Sequence, residues 1–310
     1  MRIAICSPLI VTLYNSPMPL TTRFTLSDLR AARTTGAKVP LLTRYDFTTA
    51  RLMHEAGVPA LLVGDSAANV ILGHSTTLPV PLHFMIEITA AVRRGAPNAF
   101  VIADMPFGSY HGSPARALRN VFRMVQLSGC DCVKIEAAES QLPAVKELSD
   151  AGVAIMAHLG LRPQAVGVLG GYKAQGRTAH DAEQIVQLAL AMQSHGAAAI
   201  LLEAVPPEVA QTVVDATAIP VIGCGAGPAC HGHVVVTHDA IGLTNRPPRF
   251  VPKLADLSQP LIAAFADYVK RVANGEYPTA EHEYRMPTDE RNRFEAMHPP
   301  DTKQQVASSQ

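Results

Sequence analysis

FVIADMPFGSYHGSPARALRNVFRMVQLSGCDCVKIE, residues 100–136, reads as one strand–helix–strand unit. Its two ends, FVIADM (100–105) and CVKIE (132–136), are short apolar runs, the pattern of strands buried on both faces. Between them PARALRNVFRMVQLSG (114–129) spaces its apolar residues three and four apart and closes on Gly129, a common helix stop. Each strand also delivers an acid to its end, Asp104 in the first and Glu136 in the second.

The same pattern recurs along the chain. VPLLTRY (39–45) runs up to Asp46, ALLVGD (60–65) ends at Asp65, AIMAHLG (154–160) carries His158 and AILLEAV (199–205) carries Glu203. PVIGCGAG (220–227) and VVVTHDAIG (234–242), which reaches His238 and Asp239, bring the number of runs to eight. Helical spacing fills most gaps, as in TARLMHEAG (49–57), QLPAVKELSDAG (141–152) and DAEQIVQLALAMQSHG (181–196). Alternation of this kind predicts an α/β fold, a closed (β/α)8 TIM barrel with its catalytic groups at the C-terminal strand ends. The eighth unit is the weakest, because GAGPACHGH (225–233) is too short for a full helix.

FTLSDLRAARTTG (24–36) predicts an N-terminal helix, and LSQPLIAAFADYVKRVANGEYP (257–278) an amphipathic C-terminal helical extension. The expected organisation is an irregular extension over 1–22, a barrel catalytic domain over 23–280, and a polar, disordered tail over 281–310.

With 310 residues, 48% of them hydrophobic, the chain can bury one large core. Lys+Arg and Asp+Glu both number 26, so there is no electrostatic case for nucleic acid or an anionic membrane as partner. Trp is absent and aromatics are 5%, against a stacking platform for single strands. No run of about 18 apolar residues is long enough to span a bilayer. The opening MRIAICSPLIVTLYNSPMPL lacks a small-residue cleavage pattern and reads as a disordered or misassigned start rather than a signal peptide. Five cysteines without CxxC or metal-finger spacing fit a reducing cytoplasm, with Cys130 and Cys132 packing as small hydrophobes.

The strand-end acids carry the chemistry. Asp65, Asp104 and Glu136 meet at one sheet edge, and three hard oxygen donors suit a divalent cation such as Mg2+. Lys134 and Glu136, two apart on a strand, share one face, so both can point at the site. Glu203 lies among Leu201, Leu202 and Ala204, surroundings that raise a carboxyl pKa towards that of a base working at neutral pH. Blander roles stay open on this reading. Asp65 and Asp104 could be turn or helix caps, Lys134 a charge balancer, Glu203 a buried acid paired with a basic neighbour, and His158 a satisfied core residue. IGCGAG (222–227) suits tight loop packing better than phosphate binding, and GGYKAQGR (170–177) a flexible loop or lid.

VGDS (63–66), GHSTTLPV (73–80), AVRRGAPN (91–98), ADMPFGSY (103–110), VKIE (133–136), HLGLRPQ (158–164), GGYKAQGR and IGCGAG occur in order. Together they resemble the ketopantoate (3-methyl-2-oxobutanoate) hydroxymethyltransferase family over roughly residues 23–280. The resemblance implies a barrel of the phosphoenolpyruvate/pyruvate type, Mg2+, 5,10-methylenetetrahydrofolate as one-carbon donor, 3-methyl-2-oxobutanoate as acceptor, and a homo-oligomer, commonly a decamer. By position it implies Asp65 and Asp104 as metal ligands with Glu136 as the third acid. Asp65, Ser66, Asp104 and Lys134 correspond to contacts with the 2-oxo acid, His158 to a histidine of the pocket wall, and Glu203 to the proton acceptor. Two alternatives accompany it. One is a carbon–carbon lyase of the same superfamily, disfavoured because the Lys-Lys-Cys-Gly-His loop of those enzymes is absent. The other is a non-catalytic 2-oxo acid and folate binder.

Three departures stand out from the family pattern. Cys230-His231-Gly232-His233 replaces a loop with an acid and an amide, Arg44 replaces a small residue, and Arg162 replaces a Thr. They bear on the folate side of the pocket and on subunit contacts rather than on the reaction class.

Overall fold

The computed structural model describes residues 19–299. Expectations for the start of the chain, for Cys6 and for 300–310 fall wholly or largely outside the described residues. Eight parallel strands close into a barrel in chain order. They are β1 Val39–Thr43, β2 Ala60–Val63, β3 Phe100–Asp104, β4 Cys132–Glu136, β5 Ile155–Gly160, β6 Ala199–Glu203, β7 Val221–Cys224 and β8 Gly232–Val235, with β8 pairing back to β1. The (β/α)8 barrel expected from the alternation is therefore the fold.

Strand periodicity decides which side chains enter the barrel. Leu41, Leu62, Phe100, Ile102, Cys132, Met156, Leu201, Ile222 and Val234 form one buried cluster, joined by Phe24, Leu29 and Ala32 from the helix Leu26–Thr35 and its approach. The intervening residues, among them Leu61, Val63, Val101, Val133, Ile135, Ile200 and Leu202, belong to the outer cluster that the helices cover. Counting in twos from Ile102, Cys132, Met156 and Leu201 leads to Asp104, Lys134 then Glu136, His158 and Glu203. One inward-facing layer at the C-terminal end thus receives the charged residues.

The expected helices appear as Phe47–Glu55, Pro114–Ser128, Leu142–Asp150 and Ala179–Ser194. Asp46 caps the first of these, accepting the Thr49 N–H at 2.8 Å. Helices Leu82–Gly95 and Pro207–Ala216 complete the outer layer except between β7 and β8, which a helix-free turn connects. β8 begins at Gly232, so His233 is a strand residue rather than part of a loop.

The chain divides into two compact units, Met1–Asp256 and Leu257–Gln310. The division precedes the C-terminal helix, Ser258–Ala273, whereas the sequence reading placed that helix in the barrel domain. The tail expected to be disordered from 281 contains a helix, Thr288–Met297, which corrects that expectation over those residues. Its first turn carries Asp289 and Glu290, acids that favour a helix N-terminus. No helix of the described residues is long and apolar enough to cross a membrane.

Candidate active site

Asp65, Ser66, Asp104, Lys134, His158 and Glu203 line one pocket at the C-terminal end of the barrel, with Tyr172, Cys224, Asp239 and Phe250 further around its wall. The acids are close neighbours because their strands are. Asp104 pairs in register with Lys134, and Glu136 with His158. The peptide N–H of Asp65 donates to Asp104 Oδ2 at 3.0 Å, and Lys134 Nζ lies 3.0 Å from Asp104 Oδ1. Gly64 leaves room beside them for the Ser66 hydroxyl, from which a Cβ would stand 2.8 Å. Ser66 Oγ shares a hydrogen bond with the Tyr45 hydroxyl at 2.8 Å.

Lys134 passes the contact on to His158, donating to Nδ1 at 3.1 Å. An ammonium has only donors, so Nδ1 is an acceptor and His158 carries its proton on Nε2. That nitrogen stands 3.2 Å from Glu203 Oε2, without hydrogen-bond alignment. Burial, with Lys134 alongside, holds His158 well below the usual histidine pKa, so the ring is neutral.

Glu203 is placed by the backbone around it. Ala204, the next residue, has φ 48°, a left-handed conformation costing a non-glycine residue about 1–2 kcal/mol. Its N–H donates to the Cys224 carbonyl at 2.9 Å and its carbonyl accepts the Gln175 N–H at 3.0 Å. On the other side Leu161 N–H donates to the Glu203 carbonyl at 2.8 Å. Gly160 makes that approach possible, since a Cβ there would lie 2.3 Å from the same oxygen.

Electrostatics at this end reflect charge gathered out of water. Burial raises Glu203 to about 7, with Lys134 pulling the other way. Burial and the Asp104 charge raise Asp65 to about 7, and burial with Asp65 raises Glu136 to about 8. Burial alone would lower Lys134, but Asp104, Asp65 and Glu136 around it keep it above its ordinary value and charged.

Glu136 is the acid expected to act partly through water, because three anionic ligands and a substrate carboxylate would over-neutralise a dication. Its carboxylate turns to the peptide N–H of Gln164, at 2.9 and 3.1 Å, and does not line the pocket. Among the described residues no three Asp, Glu, His or Cys side chains converge as a metal cage. Asp65 and Asp104 remain adjacent, and Asp104 Oδ1 is buried without a hydrogen-bond partner. Two hard anionic donors, one with an oxygen whose charged neighbour is the Lys134 ammonium, fit an oxygen-coordinated dication that keeps several waters.

Two side chains of this end that the sequence did not single out are Gln164 and Tyr110, joined by a 2.7 Å hydrogen bond. HLGLRPQ contains the first, and the only available signal was a polar residue in the turn after β5.

Of the three departures, the His pair and Arg44 do not line the pocket, whereas Arg162 lies beside Glu136 and His158. His231 precedes β8, at the opposite end of the barrel, where its Nδ1 accepts the Val221 N–H at 3.0 Å. His233 pairs with Pro40 and Gly223 on the strand and does not line the pocket. Arg44 is 4% exposed and lies 3.3 Å from Asp46, while Arg162 Nη1 donates to the Ala137 carbonyl at 3.2 Å.

A family model described as ketopantoate hydroxymethyltransferase matches residues 23–280. The 3-methyl-2-oxobutanoate hydroxymethyltransferase of Frankia casuarinae is 45% identical over 269 residues, covering 86% of this chain and 90% of that protein. The protein of the same name from Geobacillus thermodenitrificans is 42% identical over 267 residues, covering 86% and 96%. Among solved structures, 2,3-dimethylmalate lyase, a PEP mutase/isocitrate lyase superfamily member, superposes with TM-score 0.53 at 17% identity, covering 88% of this chain and 98% of that one. Phosphoenolpyruvate phosphomutase from Streptomyces platensis gives 0.56 at 15%, covering 88% and 99%. These two share the fold, whereas the sequence relatives and the profile over residues 23–280 carry the family: the chain belongs to the ketopantoate hydroxymethyltransferases.

Proposed function

We propose that the chain transfers a hydroxymethyl group to 3-methyl-2-oxobutanoate, forming 2-dehydropantoate for pantothenate synthesis, with 5,10-methylenetetrahydrofolate as donor and Mg2+ as cofactor. The observation that carries this reading is the placement of Glu203, a carboxyl that burial pushes up to about 7, in the same pocket as Asp65 and Asp104. A base poised near neutrality opposite an ion-binding acid pair is what removal of a proton next to a keto group requires.

Asp65 and Asp104 hold the ion directly, and Glu136, turned to Gln164, acts through water. Bound there, Mg2+ supplies Lewis-acid stabilisation of charge growing on the keto oxygen, a contribution of several kcal/mol. Glu203 accepts the C3 proton of the 2-oxo acid. The methylene carbon is held by two folate nitrogens: the carbanion carbon bonds to it as the first C–N bond breaks, and water replaces the second nitrogen. This gives the hydroxymethyl group and tetrahydrofolate, whose two nitrogens take up the substrate and water protons. Lys134 offers a fixed positive charge to the substrate oxygens, with Ser66 beside them. His158, neutral with Nδ1 occupied by Lys134, lines the pocket beside the base and has no free site for the C3 proton. The same reading makes the enzyme a cytoplasmic homo-oligomer.

A turnover assay with 3-methyl-2-oxobutanoate, methylenetetrahydrofolate and Mg2+ tests it. Formation of 2-dehydropantoate dependent on all three is the expected result. Carbon–carbon cleavage without folate would favour a lyase, and binding without turnover a sensor.

A further inference from the structure

Gln164 sits in the turn Pro163–Ala165 after β5, 7% exposed, behind the pocket wall. Its peptide N–H holds both oxygens of Glu136, as described above. Its side-chain Nε2 donates to Asp65 Oδ2 at 2.8 Å and to the Met105 carbonyl at 3.0 Å. Its Oε1 accepts from the Tyr110 hydroxyl at 2.7 Å, and that hydroxyl accepts the Glu136 N–H at 3.2 Å. The amide fits only one way round, because turned over its oxygen would face a carboxylate and a carbonyl. Both side-chain N–H donors are thereby committed. Among the described residues, the only side-chain hydrogen bond to the Asp65 carboxylate is this one, to Oδ2.

We infer that Gln164 is a positioning residue for the ion-binding acids: its side chain fixes the rotamer of Asp65 while its peptide fixes Glu136. The two carboxylates then keep one spacing whether or not a cation is bound. Asp65 feels the like charge of Asp104, and Glu136 that of Asp65, so the bonds to Gln164 oppose a repulsion that would reorient these two buried side chains. Hydrogen bonds behind a ligand hold it in the binding orientation, and losing such a partner typically costs 10–100-fold in metal affinity. The inference rests on the reading of Asp65 as a direct ligand.

The test measures binding of Mn2+ alone to the full chain by electron paramagnetic resonance of the free ion, together with the Mg2+ dependence of turnover. Gln164→Met keeps length and apolar volume but removes the side-chain amide, leaving the hydrogen bond from the backbone N–H to the Glu136 carboxylate in place. Its Mn2+ affinity is expected to fall by roughly 10–100-fold. The Mg2+ concentration for half-maximal activity should rise more than kcat falls, a split that loss of stability alone does not produce. Tyr110→Phe, which frees Oε1 but keeps the ring and the Gln164 bonds to both acids, should weaken Mn2+ binding less than Gln164→Met does.

Asp65→Asn separates the two ideas. If it abolishes Mn2+ binding while Gln164→Met stays within twofold of the parent, the inference about Gln164 is overturned and the ligand stands. Parent-like binding in Asp65→Asn removes the ligand assignment itself, and the inference with it. Should Gln164→Met not fold, Gln164→Leu, which also lacks the amide, decides: weaker Mn2+ binding at the parent Tm supports the inference, and parent-like binding overturns it.

Discussion

The two ends of this barrel treat buried charge in opposite ways. At the N-terminal end Asp131, just before β4, accepts the Val101 N–H at 2.8 Å and pairs with Arg93 and Arg23. Nearby, His231 accepts the Val221 N–H. At the C-terminal end Asp65, Asp104, Glu136 and Glu203 gather around Lys134, and Asp104 Oδ1 and His158 Nε2 have no aligned hydrogen-bond partner. Satisfied polar groups hold a structure together, whereas groups left wanting a partner can bind one. In a (β/α)8 barrel the first end reads as stability and the second as chemistry.

Breaking the C-terminal end should therefore cost activity and leave folding intact. Asp104→Ala is expected to lower turnover at saturating Mg2+ by roughly 1000-fold or more, the rate equivalent of several kcal/mol. Circular dichroism should remain that of the parent. Unchanged turnover would remove Asp104 from the ion site. Glu203→Gln keeps shape but cannot take a proton, so exchange of the substrate C3 proton with solvent should slow by at least ~100-fold. Exchange at the parent rate would move the base elsewhere.

Breaking the N-terminal end should do the reverse. Asp131→Ala strands the Val101 N–H and removes the carboxylate from Arg93, which costs about 2–3 kcal/mol of folding stability. A lower urea midpoint with parent kcat per folded molecule is the expected result. A fall in kcat comparable to that of Asp104→Ala would erase the distinction between the ends.

The smallest effect concerns His231. Burial, with Arg33 and Lys38 nearby, lowers its pKa to about 4, below the unfolded value of about 6.5. Above pH 6.5 neither state is protonated. Between 6.5 and 4 the unfolded chain gains a proton that the folded chain refuses, so stability falls as pH falls through that window. His231→Asn retains an acceptor for the Val221 N–H without titrating. Its loss of Tm between pH 7 and pH 5 should be smaller than the parent's, and equal losses would show that His231 contributes nothing to the slope.

Much of this site was legible before any coordinates. Asp65, Asp104, Lys134, Glu136, His158 and Glu203 each lie in or just after an apolar run, and period two puts the strand residues among them on the inner face. What escaped were features without a sequence pattern. Gln164 is one polar residue in a turn, and its bond to Asp65 spans most of the distance between β2 and β6 along the chain. The left-handed Ala204 looks in sequence like any alanine after a strand. Glu136 shares the inner face as expected, but the peptide it meets decides that its carboxylate turns from the pocket.

His231 and His233 teach the same lesson from the other side. Read linearly, CHGH is a short loop between two strand ends and therefore close to the site. In space β8 already begins at Gly232, which sends His231 to the far end of the barrel. Burial and strand periodicity are local and repeat in every unit, so the barrel, the acids and the face they occupy can be read along the chain. Which acids adjoin, which oxygen meets the Lys134 ammonium and which residue braces them can be read only in three dimensions. Those are distances between strands far apart in the chain, and closure of the barrel sets them.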